Sequence, residues 1–485
     1  MFAGLPPARP DDHTLRASVR ALRAADGLLL GVLDDDPTGS QAVHGLEVVT
    51  ALEQAAYQAA LAGPAGACFV LTNTRSLDGP AAARLTARAA RDLLAVAQRR
   101  GARIQLVSRS DSTLRGHVLA EVAAVQAARR EVLGHGFDGV LLIPAFIEAG
   151  RVTAADIHWA RTGPGLVAVG ETEFARDPVF GYRASDLREF IAERSSGAIR
   201  PDQVASISLD DIRLGGPDQV AGRLARVSGG GWVVVNATEY SDLDTVAYGV
   251  LLAQRAGQAF LFRTGPSFVR ALAGQDAQPP LRGARLWPGG AGRAGQPGLI
   301  VVGSHVGRTS RQLAALRARG GTAGIELNVP AVLDGAPGVT ATTARQAAAA
   351  LRHSDVLLYT SRAVVAGRDP ADSLAIARTV SAALAAVVRD IVASDTGGRD
   401  TLGPRPGWIV AKGGITSHDV AVQGLGIRRA VVAGQLFPGL ISVFHPAEAA
   451  PAAAGLPYVV FAGNVGDDGT LAQVVDILNR AREDA

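Results

Sequence analysis

Residues 27–41 read GLLLGVLDDDPTGSQ: an apolar run, 28–33, stops in three consecutive aspartates, and Pro37, Thr38, Gly39 and Ser40 follow. An apolar run of this length closed by turn residues reads as a buried strand with a loop at its carboxyl end. Asp34, Asp35 and Asp36 repel one another there unless a cation, a hydroxyl-rich ligand or backbone N–H groups compensate. The arrangement recurs. CFVLT (68–72) runs into NTRS (73–76), RIQLVS (103–108) into RSDSTLRGH (109–117), and GVLLIPAF (139–146) into IEAGRVT (147–153). Helical patterns at 80–100, stopped by Gly101, and at 118–130 lie between them. Strand–helix alternation predicts a parallel sheet with helices on both faces. Parallel strands align their carboxyl ends, so DDDPTGSQ, NTRS, RSDSTLRGH and EAGRVT are expected to converge on the edge where open α/β sheets bind ligands.

The pattern continues through strand candidates at 46–52, 204–209, 232–238 and 259–267, with a helix at 241–256; residues 160–200 are less regular. Residues 275–298 are dense in Gly, Pro and Arg and read as a linker or exposed insert. A second α/β unit opens at LIVVGS (299–304). It carries strands at 324–328, 356–361, 430–437, 440–444 and 458–464, a strand, Gly-Gly turn and helix start over 408–421, helices at 308–319, 371–393 and 471–483, and a loop at 395–407.

A chain of 485 residues is too long for one ordinary domain. The formal net charge of +3 is spread along it, and no basic block points to nucleic acid. Cys68, the single cysteine, excludes an intrachain disulfide and a cysteine-based zinc site. No apolar run approaches a membrane span, and residues 1–26, rich in Arg, Pro and Asp, lack an apolar signal core. They read as a loose extension or a short helix, and the cytoplasm is the expected location.

Arg75, Arg109, Arg115 and Arg151 all stand just after strand ends, beside Asp35 and Asp36. Arginine forks bind carboxylates and phosphates bidentately, so the set suggests a small, anionic, hydroxylated ligand. Taken singly, each is a surface or salt-bridge arginine. His158 and the other histidines show no metal-binding spacing. In the second unit GSHVG (303–307), GGITS (413–417) and FAGNVG (461–466) are Gly-rich strand ends, and helix starts of this kind favour anions. Lys412, the only lysine, either faces a phosphate or stands there by chance. It follows Ala411, so the stretch is not a Walker A loop, and GxGxxG is missing too.

In order, DDDPTG (34–39), NTRS, SDSTLRG (110–116), PAFIEAGRVT (144–153) with His158, DPVF (177–180) and FRTGPS (262–267) resemble the motifs of the four-carbon acid sugar kinase family, also called 3-oxo-tetronate or threonate kinases. GSHVGRTSRQ (303–312), GGITS, PGL (438–440) and GN-x-G (463–466) are similar to that family's nucleotide-binding half. The resemblance spans 27–484. It implies an α/β protein of two domains, each a mostly parallel sheet flanked by helices, with the active site in the interdomain cleft. The implied organisation is an extension (1–26), a sugar-acid-binding domain (27–274), a linker (275–298) and an ATP-binding domain (299–485). The implied reaction carries the γ-phosphoryl group of ATP, with Mg²⁺, to the terminal hydroxyl of a four-carbon sugar acid.

By the same resemblance Asp35, Asp36, Asn73, Arg75, Ser110, Asp111 and Arg115 would face the sugar acid. Ser304, Gly413, Gly414, Thr416 and Gly463 would face ATP. Asp36 is the expected orienting or proton-accepting group, with Asp35 its competitor, and Arg75, Arg109 or Arg115 the expected carboxylate holder. Closure about 275–298 would exclude water. The chain departs from the family at Ile415, where an acidic residue is usual, and at Arg109, where Lys is common. Two other readings stay open. One is a sensor that has lost transfer through Ile415; the other is a nicotinamide-dependent dehydrogenase, disfavoured by the missing GxGxxG. The expected partners are the sugar acid and ATP, without nucleic acid or membrane, and a homodimer is the commonest assembly for such enzymes.

Overall fold

The computed structural model describes residues 4–163, 165–287, 296–305, 307–363, 365, 367–368, 370–393, 405–463 and 465–483. It divides into two compact units, Met1–Gln278 and Pro279–Ala485.

The first unit contains β1 (Leu28–Asp34), β2 (Glu47–Val49), β3 (Ala67–Leu71), β4 (Arg103–Arg109) and β5 (Gly139–Ile143). Then come β6 (Arg151–Ala154), β7 (Ile157–Thr162), β8 (Gly165–Ala168), β9 (Ala205–Ile207), β10 (Gly231–Val235) and β11 (Phe260–Thr264). Its main sheet runs β2-β3-β1-β4-β11-β5-β10-β9, and every pairing is parallel. Every residue of β1 is buried, as expected for a strand covered on both faces. Gly31 is small for a reason: a Cβ there would lie 3.0 Å from the side chain of Leu93, on the helix packed above. That helix, Gly79–Arg99, is capped by Asp78, which accepts from the Ala81 N–H at 2.8 Å, and it presents Ala82, Ala89, Ala90, Leu93, Leu94 and Ala97 to the core. Each fully buried leucine contributes about 1.5–3 kcal/mol.

β1 lies between β3 and β4, with Asp34 opposite Leu71 on one side and Arg109 on the other. From β1 the chain goes first to the β3 side and then crosses to the β4 side. The carboxyl end of β1 is therefore the switch point at which such sheets open a crevice. β6, β7 and β8 form a separate antiparallel sheet. Residues 147–153, expected as a loop, thus enter a strand at Arg151. The sequence hides this hairpin because its strands are short and only partly buried. The helix His13–Ala25 belongs to the first unit: Arg16 is buried and pairs with Asp244 at 3.0 Å and Asp276 at 2.6 Å.

The second unit contains β12 (Leu299–Val302), β13 (Thr322–Leu327), β14 (Asp355–Thr360), β15 (Ile409–Lys412), β16 (Arg429–Phe437), β17 (Ile441–Glu448) and β18 (Tyr458–Phe461). The order is β13-β14-β12-β15-β18-β17-β16, parallel as far as β18 and antiparallel beyond it. PGL is the turn of the β16–β17 hairpin, with Gly439 at φ +64°, a left-handed conformation that favours glycine. β12 sits between β14 and β15, so this unit has its own switch point, after Val302 and Lys412. Of the 395–407 loop only 405–407 lie within the described residues. Among the described residues no helix is long and apolar enough to cross a membrane.

Candidate functional site

In the first unit the loops after β1, β3 and β4 are laced together by backbone. Asn73 N–H donates to the Asp34 carbonyl at 3.3 Å, Arg75 N–H to that of Asp35 at 3.3 Å, and Asp35 N–H to that of Arg109 at 3.3 Å. Asn73 takes φ +50°, which asparagine tolerates better than most residues, and the chain then turns through Thr74–Ser76 to aim Arg75 back at β1. Arg75 grips Asp35 with two nitrogens, at 2.6 and 3.2 Å, and reaches Asp36 at 3.5 Å. Arg109 is buried and pairs with Asp34, and it also donates to the Asp36 carbonyl at 2.6 Å and the Ser110 carbonyl at 3.3 Å. The aspartate run is therefore compensated by two guanidinium groups.

The three carboxyl groups are not equivalent. Burial pushes Asp34 up to about 7 against the pull of Arg109. Its Oδ2 is buried without a hydrogen-bond partner. Burial also raises Asp35, although Arg75 and Arg109 oppose it. Asp36 feels the same burial, but Arg75, Arg109 and Thr38 outweigh it and hold its carboxyl below the usual range. Its Oδ1 accepts from the N–H and hydroxyl of Thr38 at 2.8 and 2.6 Å, and its side chain keeps 19% exposure against 2% for Asp35.

The loop 110–117 closes the site's other side. Leu114 is held at φ +66°, a strained setting of the kind functional loops retain. Burial of Asp111 is outweighed by Arg115 and Arg75, so it stays ionised. Arg115 binds Asp111 at 2.6 Å and Asp177, from DPVF, at 3.6 Å. Arg115 and Arg151 both face the ring of Phe174, at 5.2 and 5.8 Å from its centroid. His158 is structural: it hydrogen-bonds Thr153 at 2.9 Å and the Ser112 carbonyl at 2.8 Å, and burial pushes it down to about 4. Asp35, Asp36, Asn73, Arg75, Arg109 and Ser110 thus share the β1–β3–β4 edge, while Arg115 and Arg151 meet at Phe174. A cavity of about 560 Å³ opens elsewhere, lined by Arg176, Tyr182, Arg183 and Glu193 among others, and none of the expected site residues lines it.

The second unit gathers its glycines at its own switch point. Gly413 takes φ +118°, and a Cβ there would lie 3.1 Å from Ser304 and 3.3 Å from the Thr416 hydroxyl. A Cβ on Gly303 would collide with that same hydroxyl. The Thr309 hydroxyl bridges Ser304 Oγ at 3.3 Å and the Gly463 carbonyl at 3.1 Å. Ser304, Gly413, Gly463 and Thr416 therefore form one cradle. Gly414 starts the next helix, and Ile415 projects outward, 41% exposed. Arg362 donates to the Ser304 carbonyl at 2.9 Å and the Ser310 hydroxyl at 2.6 Å. His305 Nδ1 is buried without a partner. Bare backbone, hydroxyls, an unpartnered imidazole nitrogen and Arg362 suit an anionic nucleotide. Lys412 points inward: its Nζ donates to the Ala462 carbonyl at 2.7 Å, lies 3.6 Å from the Phe461 ring centroid, and is pushed down to about 6 by burial and Arg308. Among the described residues no group of three or more His, Cys, Asp or Glu is placed to hold a metal ion.

Residues 30–272 match the family described as a sugar-binding N-terminal domain, and 299–471 the family described as a nucleotide-binding C-terminal domain. The Haemophilus influenzae protein HI1011, of the DUF1537 family, is 16% identical, with 92% of this chain and 99% of that one covered and a TM-score of 0.58. A Salmonella typhimurium LT2 protein presented as a candidate tRNA synthase is 16% identical, with 92% and 98% covered and a TM-score of 0.62. At this identity the likeness is one of fold. No curated protein matches the chain.

Proposed function

This chain belongs to the family that joins a sugar-binding N-terminal domain to a nucleotide-binding C-terminal domain, the architecture of the four-carbon acid sugar kinases, and on that premise we propose that it is an ATP-dependent kinase. Its acceptor is the terminal hydroxyl of a four-carbon sugar acid of the 3-oxo-tetronate, threonate or erythronate type. The observation that carries the reading is the carboxylate pair Asp35 and Asp36, gripped by Arg75 at the switch point of the sugar-binding domain.

Phosphoryl transfer asks a protein mainly for positioning and charge neutralisation. Thr38 fixes Oδ1 of Asp36, and Oδ2, which Arg75 reaches at 3.5 Å, accepts from the acceptor hydroxyl and orients it. Asp35, with its carboxyl raised, is the competing proton acceptor. Arg75 and Arg115 keep 20% and 21% side-chain exposure and take the carboxylate of the sugar acid, joined by Arg151; Asn73, Ser110 and Asp111 complete the wall. Arg109 holds the aspartate loop in shape. Ser304, Gly413, Gly414, Ile415, Thr416 and Gly463 receive ATP. ATP supplies the phosphoryl group, and Mg²⁺ carried on its phosphates neutralises their charge. The cytoplasm, where ATP is plentiful, is the matching location.

The test is ADP release from Mg-ATP across a panel of four-carbon sugar acids and their oxo forms. Release with one acid, lost in Asp36→Asn while ATP still binds, is expected; near-normal turnover in that variant sinks the assignment of Asp36. The exposed Ile415, where the family carries an acid, favours a second reading: a sensor that binds both ligands without transfer. Binding of sugar acid and ATP with no ADP formed would select it.

A further inference from the structure

Arg263 lies in β11, opposite Ser108 of β4, and is 2% exposed. One nitrogen, Nη1, is anchored: it donates to the Ser108 hydroxyl at 2.6 Å and pairs with Glu121, which is held in turn by the Thr74 hydroxyl. The other, Nη2, is buried with no hydrogen-bond partner. It lies beside Gly116, whose missing side chain lets the loop pass close to it. A Cβ on Gly116 would stand 3.3 Å from Arg263 Nη2, 3.1 Å from Asp35 Oδ2 and 3.8 Å from the Ser110 hydroxyl. Gly116 takes φ +117°, so no other residue enters this conformation without strain. A buried guanidinium N–H left unpaired is costly, and folds keep such groups where a partner arrives.

The chemistry of the groups gathered beside Gly116 specifies that partner. Arg263 Nη2 only donates, Asp35 Oδ2 accepts, and the Ser110 hydroxyl does either. A carboxylate oxygen would meet Asp35 head-on, and a carbonyl oxygen has no proton to give it. A hydroxyl accepts from Arg263 and donates to Asp35 at once. We propose that Arg263, Gly116 and Asp35 form a subsite that reads one hydroxyl group of the sugar acid. Asp35 is already gripped by Arg75, so the hydroxyl is fixed from a rigid frame. The subsite rests on the sugar-acid reading of this domain and adds a selectivity to it: acids lacking that hydroxyl leave Arg263 Nη2 unsatisfied and are rejected.

The experiment is calorimetric titration of the full chain with threonate, erythronate, 2,4-dihydroxybutanoate and 3,4-dihydroxybutanoate, alongside ADP release from the same samples. The wild type is expected to bind one of the two deoxy acids at least about tenfold more weakly than its hydroxylated parent. Arg263→Lys, which keeps a cation for Glu121 but removes Nη2, is expected to erase that difference by weakening the parent alone. Equal loss for all four acids, no loss, no wild-type preference, or no binding of any acid overturns the subsite. If Arg263 Nη2 is met by a water and not by a sugar hydroxyl, the no-loss result follows. Preference erased by Arg263→Lys with no ADP formed keeps the subsite and removes the kinase; ADP formed with no preference does the reverse.

Discussion

Gly39, the last residue of DDDPTG, is small because Arg109 occupies its side-chain space. A Cβ there would overlap Nε, Cζ and Nη2 of the guanidinium. In Gly39→Ala either Arg109 or the loop must move. Displacing Arg109 leaves Asp34, which is wholly buried, without its counter-ion, a loss of about 3–5 kcal/mol for breaking such a pair. Shifting the loop instead costs about 1–3 kcal/mol, the usual penalty of overpacking. The cheaper response sets the cost, so the variant should lose about 1–3 kcal/mol, or roughly fivefold to a hundredfold in the opening equilibrium of the first unit. Cys68 reads that opening: it lies in β3 beside β1, is wholly buried, and burial pushes its thiol up to about 12, so a thiol reagent reaches it only on unfolding. Labelling rates, normalised to the denatured chain, should rise accordingly at pH 8. The deficit should shrink at pH 6. Asp34 has a folded value near 7, above its unfolded one, so its protonation favours the folded state as pH falls and removes the uncompensated charge. In an Asp34→Asn/Arg109→Ala background the same methyl should cost nothing. Labelling within about threefold of wild type at pH 8, less than 1 kcal/mol, would refute the account.

Two further outcomes follow from buried charges. Lys412 is pushed from 10.5 down to about 6, so the folded second unit binds fewer protons than the unfolded chain between those values. Its stability should rise with pH across that window, by up to about 1.4 kcal/mol per pH unit, and Lys412→Met should flatten the rise in urea unfolding followed by fluorescence. Arg16→Met should strand Asp244, which burial has pushed up to about 6, and cost about 3–5 kcal/mol at pH 8. The loss should be smaller at pH 5, where Asp244 takes a proton, as Cys68 labelling would report.

The strand ends were readable because an apolar run followed by turn residues has few other solutions; β1, β3 and β4 fall where their runs do. Their convergence followed from parallel pairing. The hairpin β6–β8 was not readable, since Gly163 and the exposed Arg161 and Thr162 break any alternation. Arg263 gives no local sign of its orientation, because a lone arginine in FLFRT has the same pattern whether it faces solvent or the buried Glu121. Glu121 in turn resembles any acid in a first helical turn, yet it is buried. Lys412 stood out by rarity alone. Whether its amine faced a ligand or its own chain depended on the carbonyls of Ala462 and Gly463, which β18 brings alongside from 50 residues away.

The solitary Lys412 also changes how the chain responds to reagents. It is wholly buried in β15, so the folded surface offers no side-chain amine to acylating or cross-linking agents. Cys68 is the corresponding solitary thiol in β3 of the first unit. Unmodified protein therefore carries one concealed handle in each half, with non-overlapping chemistries. A single sample exposed to both kinds of reagent would record separately when each half opens, and whether a sugar acid or ATP slows one label, the other, or both.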